Sequence, residues 1–131
     1  MRLIIVTPER LELDQEVTAV TLPGGLGEMK VLPGHTAFMS TLDVGVLSYE
    51  VAKGSQSLAA NRGFVEVLKD DITVLTETCE SGDKIDIERA EAARDRAQQR
   101  LEQVARQEDV DFGRAEYALK RAIARLIASG R

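Results

Sequence analysis

Gly63-Phe-Val-Glu-Val-Leu-Lys-Asp-Asp-Ile-Thr-Val-Leu-Thr-Glu77 reads as two strands with a turn between them. Phe64, Glu66 and Leu68 alternate with Val65, Val67 and Lys69, the period of two of an extended chain with one mostly apolar face and one mixed face. Asp70-Asp71 interrupts the pattern and Ile72-Thr-Val-Leu75 resumes it, which predicts a hairpin. Working outward, Arg2–Val6, Glu16–Leu22 and Val44–Val51 read as further short strands, with a second hairpin turn at Lys53-Gly54-Ser55. All three prolines and 8 of the 10 glycines fall in this part, as turn-separated strands require. An antiparallel β-sandwich over residues 1–83 is expected; a chain of that size buries roughly 60% of its unfolded surface.

Beyond residue 83 the period changes. Ile87, Ala90, Ala97, Leu101 and Val104 recur at three- and four-residue steps, interrupted by Arg94, and predict a helix over Ile87–Arg106 capped by Asp83 or Asp86. Gln107–Asp111 reads as a short polar connection, after which Phe112, Ala115, Leu119, Ala122 and Leu126 restart the seam. Two helices so joined fold back antiparallel, giving a helical hairpin over residues 84–131 and an α+β chain of two domains. Each alanine of the seam removes about one methyl group from water, worth roughly 0.8 kcal/mol, so the hairpin is expected to be marginal and able to open.

The net charge of −5 is unevenly divided: residues 1–83 carry 6 basic and 13 acidic groups, residues 84–131 carry 11 and 9. With a pI near 5.0 and an acidic sandwich, nucleic acid is not an expected partner. No apolar run reaches the roughly 18 residues of a membrane span, and Pro8 interrupts the start before a secretory core forms; a soluble, unexported protein is expected. One cysteine and one histidine leave no internal disulfide and no Cys/His set for a metal, so a reducing compartment and no metal centre are expected.

The glycine cluster Gly24-Gly-Leu-Gly-Glu-Met-Lys30 matches neither the P-loop nor the dinucleotide-binding fingerprint and reads as a turn between strands. No spacing points to a nucleophile with its base, so no catalytic residue is assigned. His35, after Pro33-Gly34, reads as a structural or interface residue, and nothing beside Cys79 would activate its thiol. The helices hold the one constellation with ligand chemistry. Asp86 and Arg89, Arg89 and Arg96, and Arg121 and Arg125 are spaced to share helix faces, and a folded hairpin lets the arginine pairs converge. Guanidinium groups bind phosphate oxygens in bidentate fashion; the alternative is a solvated face laced with ion pairs.

Val31-Leu-Pro-Gly-His35, Leu42-Asp-Val-Gly-Val-Leu-Ser-Tyr49, Gly63-Phe-Val-Glu-Val67 with Ile72-Thr-Val-Leu75, Ile85-Asp-Ile-Glu-Arg-Ala90 and Asp109-Val-Asp-Phe112 carry a resemblance over essentially the whole chain. In order and spacing it resembles the epsilon subunit of bacterial F-type ATP synthase. The resemblance implies a flattened ten-stranded sandwich bound to the gamma subunit and the ring of c subunits, with Glu28 in the loop approaching the ring and His35 near the gamma contact. It implies helices that move between a compact hairpin and an extended form, reach the catalytic beta subunits and oppose ATP hydrolysis. It places the protein on the cytoplasmic face of the bacterial plasma membrane, associated only through the complex. Some members bind ATP in the folded hairpin, and the positions used there fall on Glu80, Asp86, Arg89, Ala90, Arg96, Arg121 and Arg125; ATP is then a regulatory ligand and no cofactor is required.

Three positions depart from the family pattern: Lys30 and Arg62 replace usual glycines, and Cys79 a small residue such as alanine. Two other readings stand beside the resemblance: a free-standing ATP-binding sensor acting on an unrelated partner, and an enzyme acting on nucleotides, for which no general base accompanies the arginines.

Overall fold

The structure is a computed structural model and describes residues 1–105 and 112–130; the expected connection Gln107–Asp111 lies outside them, as does the side chain of Val104. Ten strands precede the helices: β1 (Arg2–Val6), β2 (Leu11–Glu16), β3 (Ala19–Gly24), β4 (Gly27–Val31), β5 (Phe38–Leu42), β6 (Gly45–Val51), β7 (Gly54–Ala60), β8 (Gly63–Leu68), β9 (Asp71–Thr76) and β10 (Cys79–Ser81). A single 3-10 turn, Gly82–Lys84, leads into α1 (Ile87–Ala105), and α2 (Phe112–Ala128) follows. The strands pair in the order β10-β7-β6-β3-β5-β8-β9-β1-β2, with β4 also on β3.

The Gly63–Glu77 stretch folds as a hairpin with Val65 opposite Val74 and Val67 opposite Ile72. These four side chains point into the sandwich and are at most 1% exposed, whereas Phe64, Glu66, Leu68 and Leu75 lie outside. The Val65–Val67 face of β8 is the buried one, because its two valines are the residues that meet Leu3, Ile5, Leu22 and Leu47, and Glu66 keeps the other face outside. The turn sits one residue earlier than expected: Leu68 pairs with Asp71, and Lys69 and Asp70 both adopt positive φ. Two consecutive left-handed residues make a type I′ turn, whose twist matches that of the strands it joins. Asp70 steadies it by accepting a 2.8 Å hydrogen bond from the Gly34 amide.

Two expectations need correction. The strand expected over Glu16–Leu22 is the end of β2 and most of β3, broken at Val17-Thr18, where Val17 N–H donates to Met1 and Thr18 N–H to Glu50. The sandwich is also not wholly antiparallel: β1 runs parallel to β9, Arg2 beside Asp71 through Val6 beside Leu75.

Asp86, not Asp83, caps α1; its Oδ1 accepts from the Arg89 amide at 3.1 Å. The helices pack along the alanine seam, with Ala90, Ala97, Ala115 and Ala122 at most 1% exposed. Helix α2 lies between α1 and the outer face of β6 and β7. That position explains why Ala124 and Ala128, off the hairpin seam, are also buried, and why Ala59 of β7 joins Ile85, Ala90, Leu126 and Ala128 in a second apolar cluster. The approach is close: a Cβ on Gly82 would stand 2.0 Å from the Ala128 carbonyl oxygen.

Candidate functional site: an arginine cleft between the helices and the sandwich

The exposed face of an alanine seam leaves room between helix backbones, and long side chains at its rim close over that room. Ala93, Ala97, Ala118 and Ala122 form the apolar floor of a cavity of about 250 Å³, and Arg96, Arg100, Arg121 and Arg125 its rim. A neighbouring cavity of about 340 Å³ lies between α2 and the sandwich, lined by Asn61, Thr78, Glu80, Arg121 and Arg125 among others. Arg121 and Arg125 line both, so the two cavities adjoin at these arginines, one on the hairpin side and one on the side of β7 and β10, and together make up an arginine cleft.

The cleft's charge is mainly positive. Arg125 donates from Nε to Glu80 Oε1 and from Nη2 to Glu80 Oε2, both at 3.0 Å, the bidentate geometry that a phosphate also accepts. Among the described residues no carboxylate pairs with Arg121; its guanidinium lies 4.4 Å from the centroid of the Tyr117 ring. Arg62, on the loop between β7 and β8, lies 4.0 Å from the same centroid. The Tyr117 hydroxyl donates to Asn61 Oδ1, which also accepts from the Arg62 amide at 2.8 Å.

The structure brings together four of the seven residues that the resemblance assigned to ATP: Glu80, Arg96, Arg121 and Arg125. Asp86 is an exposed helix cap, Arg89 is exposed and lines neither cavity, and Ala90 is fully buried in the second apolar cluster. Arg100 stands on the rim with Arg96, a place that pair spacing gave to Arg89. Seven residues advance a helix by about 10.5 Å and four by about 6 Å, so Arg100 lies nearer to Arg96 along the axis than Arg89 does. Sequence reasoning missed Tyr117, Asn61 and Thr78, which carry no periodic signal.

Glu28 and His35 belong to another part of the surface. Glu28 is exposed near the tip of the β3–β4 hairpin, where Gly25-Leu26 makes the turn and Leu26 is fully exposed. His35 lies beyond the other end of β4, its Nδ1 2.7 Å from the Thr36 carbonyl and its ring against Phe38. The structure therefore sets them at opposite ends of one strand. Met39, Phe64, Leu68 and Leu75, all about half exposed or more, make a largely apolar outer face on β5, β8 and β9, with Glu66 opposite Met39 as its charge. The open end of that face is a hollow of about 890 Å³. Cys79 is half-buried, and burial, reinforced by the charges of Glu12 and Glu80, pushes its thiol up to about 11. Among the described residues no acidic or Cys/His group has the arrangement of a metal site, and no helix is long and apolar enough to cross a membrane.

Comparison with known proteins follows the same division of the chain. Residues 1–82 match the beta-sandwich domain of the ATP synthase delta/epsilon chain and residues 83–130 its long alpha-helix domain. An ATP synthase epsilon chain of Desulfitobacterium hafniense is 43% identical over 125 residues, spanning 95% of this chain and 92% of the relative. One of Nitratidesulfovibrio vulgaris is 44% identical over 130 residues, covering 99% and 96%. Among solved structures, a chain of the Euglena gracilis mitochondrial ATP synthase (OSCP/F1/c-ring) superposes with a TM-score of 0.80 at 25% identity, over 98% of this chain and 80% of that one. Two matched domains in sequence, covering all but the last residue, and relatives above 40% identity over nearly full length give one result: the chain belongs to the ATP synthase delta/epsilon family, as an epsilon-type subunit.

Proposed function

We propose that this subunit works in the central stalk of a bacterial rotary ATP synthase, linking the catalytic head to the c ring, and that its helical hairpin opposes ATP hydrolysis when it opens. The subunit is non-catalytic and sits on the cytoplasmic face of the plasma membrane through the complex. The apolar face of Met39, Phe64, Leu68 and Leu75 fits the gamma subunit, and the exposed Leu26–Glu28 tip fits the polar loops of the c ring. In the open form the basic helices, with Arg94, Arg100 and Arg114 among their exposed or partly exposed residues, meet acidic surface on a beta subunit.

The observation that carries the regulatory reading is the arginine cleft. Arg96, Arg100, Arg121 and Arg125 face one cavity only while α1 lies on α2, and Glu80 joins them only while α2 lies on the sandwich. A polyphosphate neutralises charges that otherwise repel, so ATP binds the closed form better than the open form and shifts the population toward it. ATP acts there as a signal and not as fuel.

Calorimetric titration of the isolated chain with ATP and with ADP tests this. Saturable binding that prefers ATP is expected, and R125A should weaken it by about 1.5–3 kcal/mol, the value of a charged hydrogen bond. No binding at millimolar ATP refutes nucleotide sensing and leaves the stalk role to be judged by copurification with gamma.

A further inference from the structure

Arg121 is the unusual member of the cleft. It lines both cavities, it stands among three other arginines, and among the described residues it has no carboxylate partner. A guanidinium so placed is repelled by its neighbours and has many rotamers available. What holds it is the face of Tyr117, one turn earlier on α2, at 4.4 Å. A cation over an aromatic face is attracted by the ring quadrupole without losing its charge, so the ring fixes Arg121 while leaving its N–H groups free for an anion.

Tyr117 is in turn held from the sandwich. Its hydroxyl donates to Asn61 Oδ1, and Asn61 is 8% exposed and fastened at every polar group. The Asn61 amide meets Thr76 Oγ1 at 3.1 Å, Thr76 Oγ1 donates back to the Asn61 carbonyl, and Asn61 Nδ2 reaches Thr78 Oγ1 at 3.3 Å. Arg62 lies over the same ring from the sandwich side at 4.0 Å and lines neither arginine cavity.

We infer that Tyr117 is a positioning residue for the phosphate-binding cleft: its ring presents Arg121 to the ligand, and Asn61 and Arg62 hold that ring in place only while α2 is docked. The inference rests on the nucleotide reading above and deepens it by giving the cleft a control that reaches it from the sandwich.

The test uses the full chain in two measurements. Calorimetry with ATP should show Y117L binding about tenfold more weakly, Y117F within about threefold of wild type because the ring remains, and R62A about threefold more weakly although it is outside the cavities. Wild-type affinity in Y117L, or equal losses in Y117F and Y117L, overturns positioning by the ring; wild-type affinity in R62A overturns the tie to the sandwich. The second measurement needs neither variant nor ligand. Side-chain NMR of the wild-type chain should show the Arg121 δ protons and Nε–H shifted upfield by the Tyr117 ring, and free-arginine shifts overturn the stack. If wild type does not bind ATP, the nucleotide reading fails alone, and the ring-shifted resonances decide the positioning role.

Discussion

Removing the charge of Glu80 separates the docking of α2 from the folding of the sandwich. The Glu80–Arg125 pair is bidentate, with side chains 28% exposed for Arg125 and 36% for Glu80, so it lies between two regimes. Fully exposed pairs contribute about 0–1 kcal/mol, and charged hydrogen bonds away from water about 1.5–3 kcal/mol. A value of about 1–1.5 kcal/mol is expected for the coupling between E80Q and R125Q in a double-mutant cycle. Hydrogen exchange reads it directly: because 1.4 kcal/mol is a factor of about ten, amides of α2 in E80Q should lose five- to tenfold protection. Amides of β8 and β9, far from the pair in the sheet order, should be unchanged. The loss should shrink as salt is raised toward 1 M, where the Debye length falls to about 3 Å. A coupling below about 0.3 kcal/mol refutes the reasoning, as does an equal loss in β8 and β9, which would make the pair a support of the whole fold.

Gly82→Ala should undock the end of α2, since its Cβ would meet the Ala128 carbonyl at 2.0 Å; a cost of about 1–3 kcal/mol, seen as faster exchange in the last turns of α2, is expected. Cys79, with its thiol pushed up to about 11, should react with a disulfide reagent at pH 8 on the order of tenfold more slowly than an ordinary thiol, because a roughly hundredfold scarcer thiolate is partly offset by its greater nucleophilicity. The same shift makes the folded state favour the protonated thiol: its contribution is complete below about 8.5, the unfolded value, and is lost as pH rises toward 11. C79A should flatten that part of an alkaline denaturation curve. Glu28→Ala leaves an exposed strand position without a charge and should not change the melting temperature, while loosening retention of the subunit by c-ring-containing membranes; unaltered retention removes Glu28 from the contact.

The strands most legible from residue pattern were those with large aliphatic residues alternating onto their inner face, β1, β8 and β9. Strand β4 is Gly-Glu-Met-Lys-Val with only Val31 buried, and β7 begins Gly-Ser-Gln-Ser; neither has the alternation that marks a half-buried strand. The Ala59-Ala60 end of β7 is buried because α2 covers one side and the sandwich core the other, so its sequence resembles a helix seam more than a strand. In the site, Arg121 and Arg125 were legible because their four-residue spacing sets their face, whereas Arg100 was passed over for Arg89, seven residues from Arg96. The contact of Tyr117 with Asn61 spans 56 residues and depends on where α2 lands, and no local pattern encodes that.

The parallel pairing of β1 with β9 dictates the order in which the chain can assemble. Arg2 finds its neighbour in Asp71, so β1 waits for most of the sandwich to be synthesised before it gains a second partner, and β2 stays at the edge. A two-stranded ribbon alone is marginal in water, and closing so long a loop is an entropic cost met before the pairing returns anything. On the ribosome, the β6–β7 and β8–β9 hairpins can form as they emerge, whereas β1 cannot pair with β9 until residue 76 has been made. The residues made first thus lie beside one of the last strands made, and the helices, made last, dock on β6 and β7.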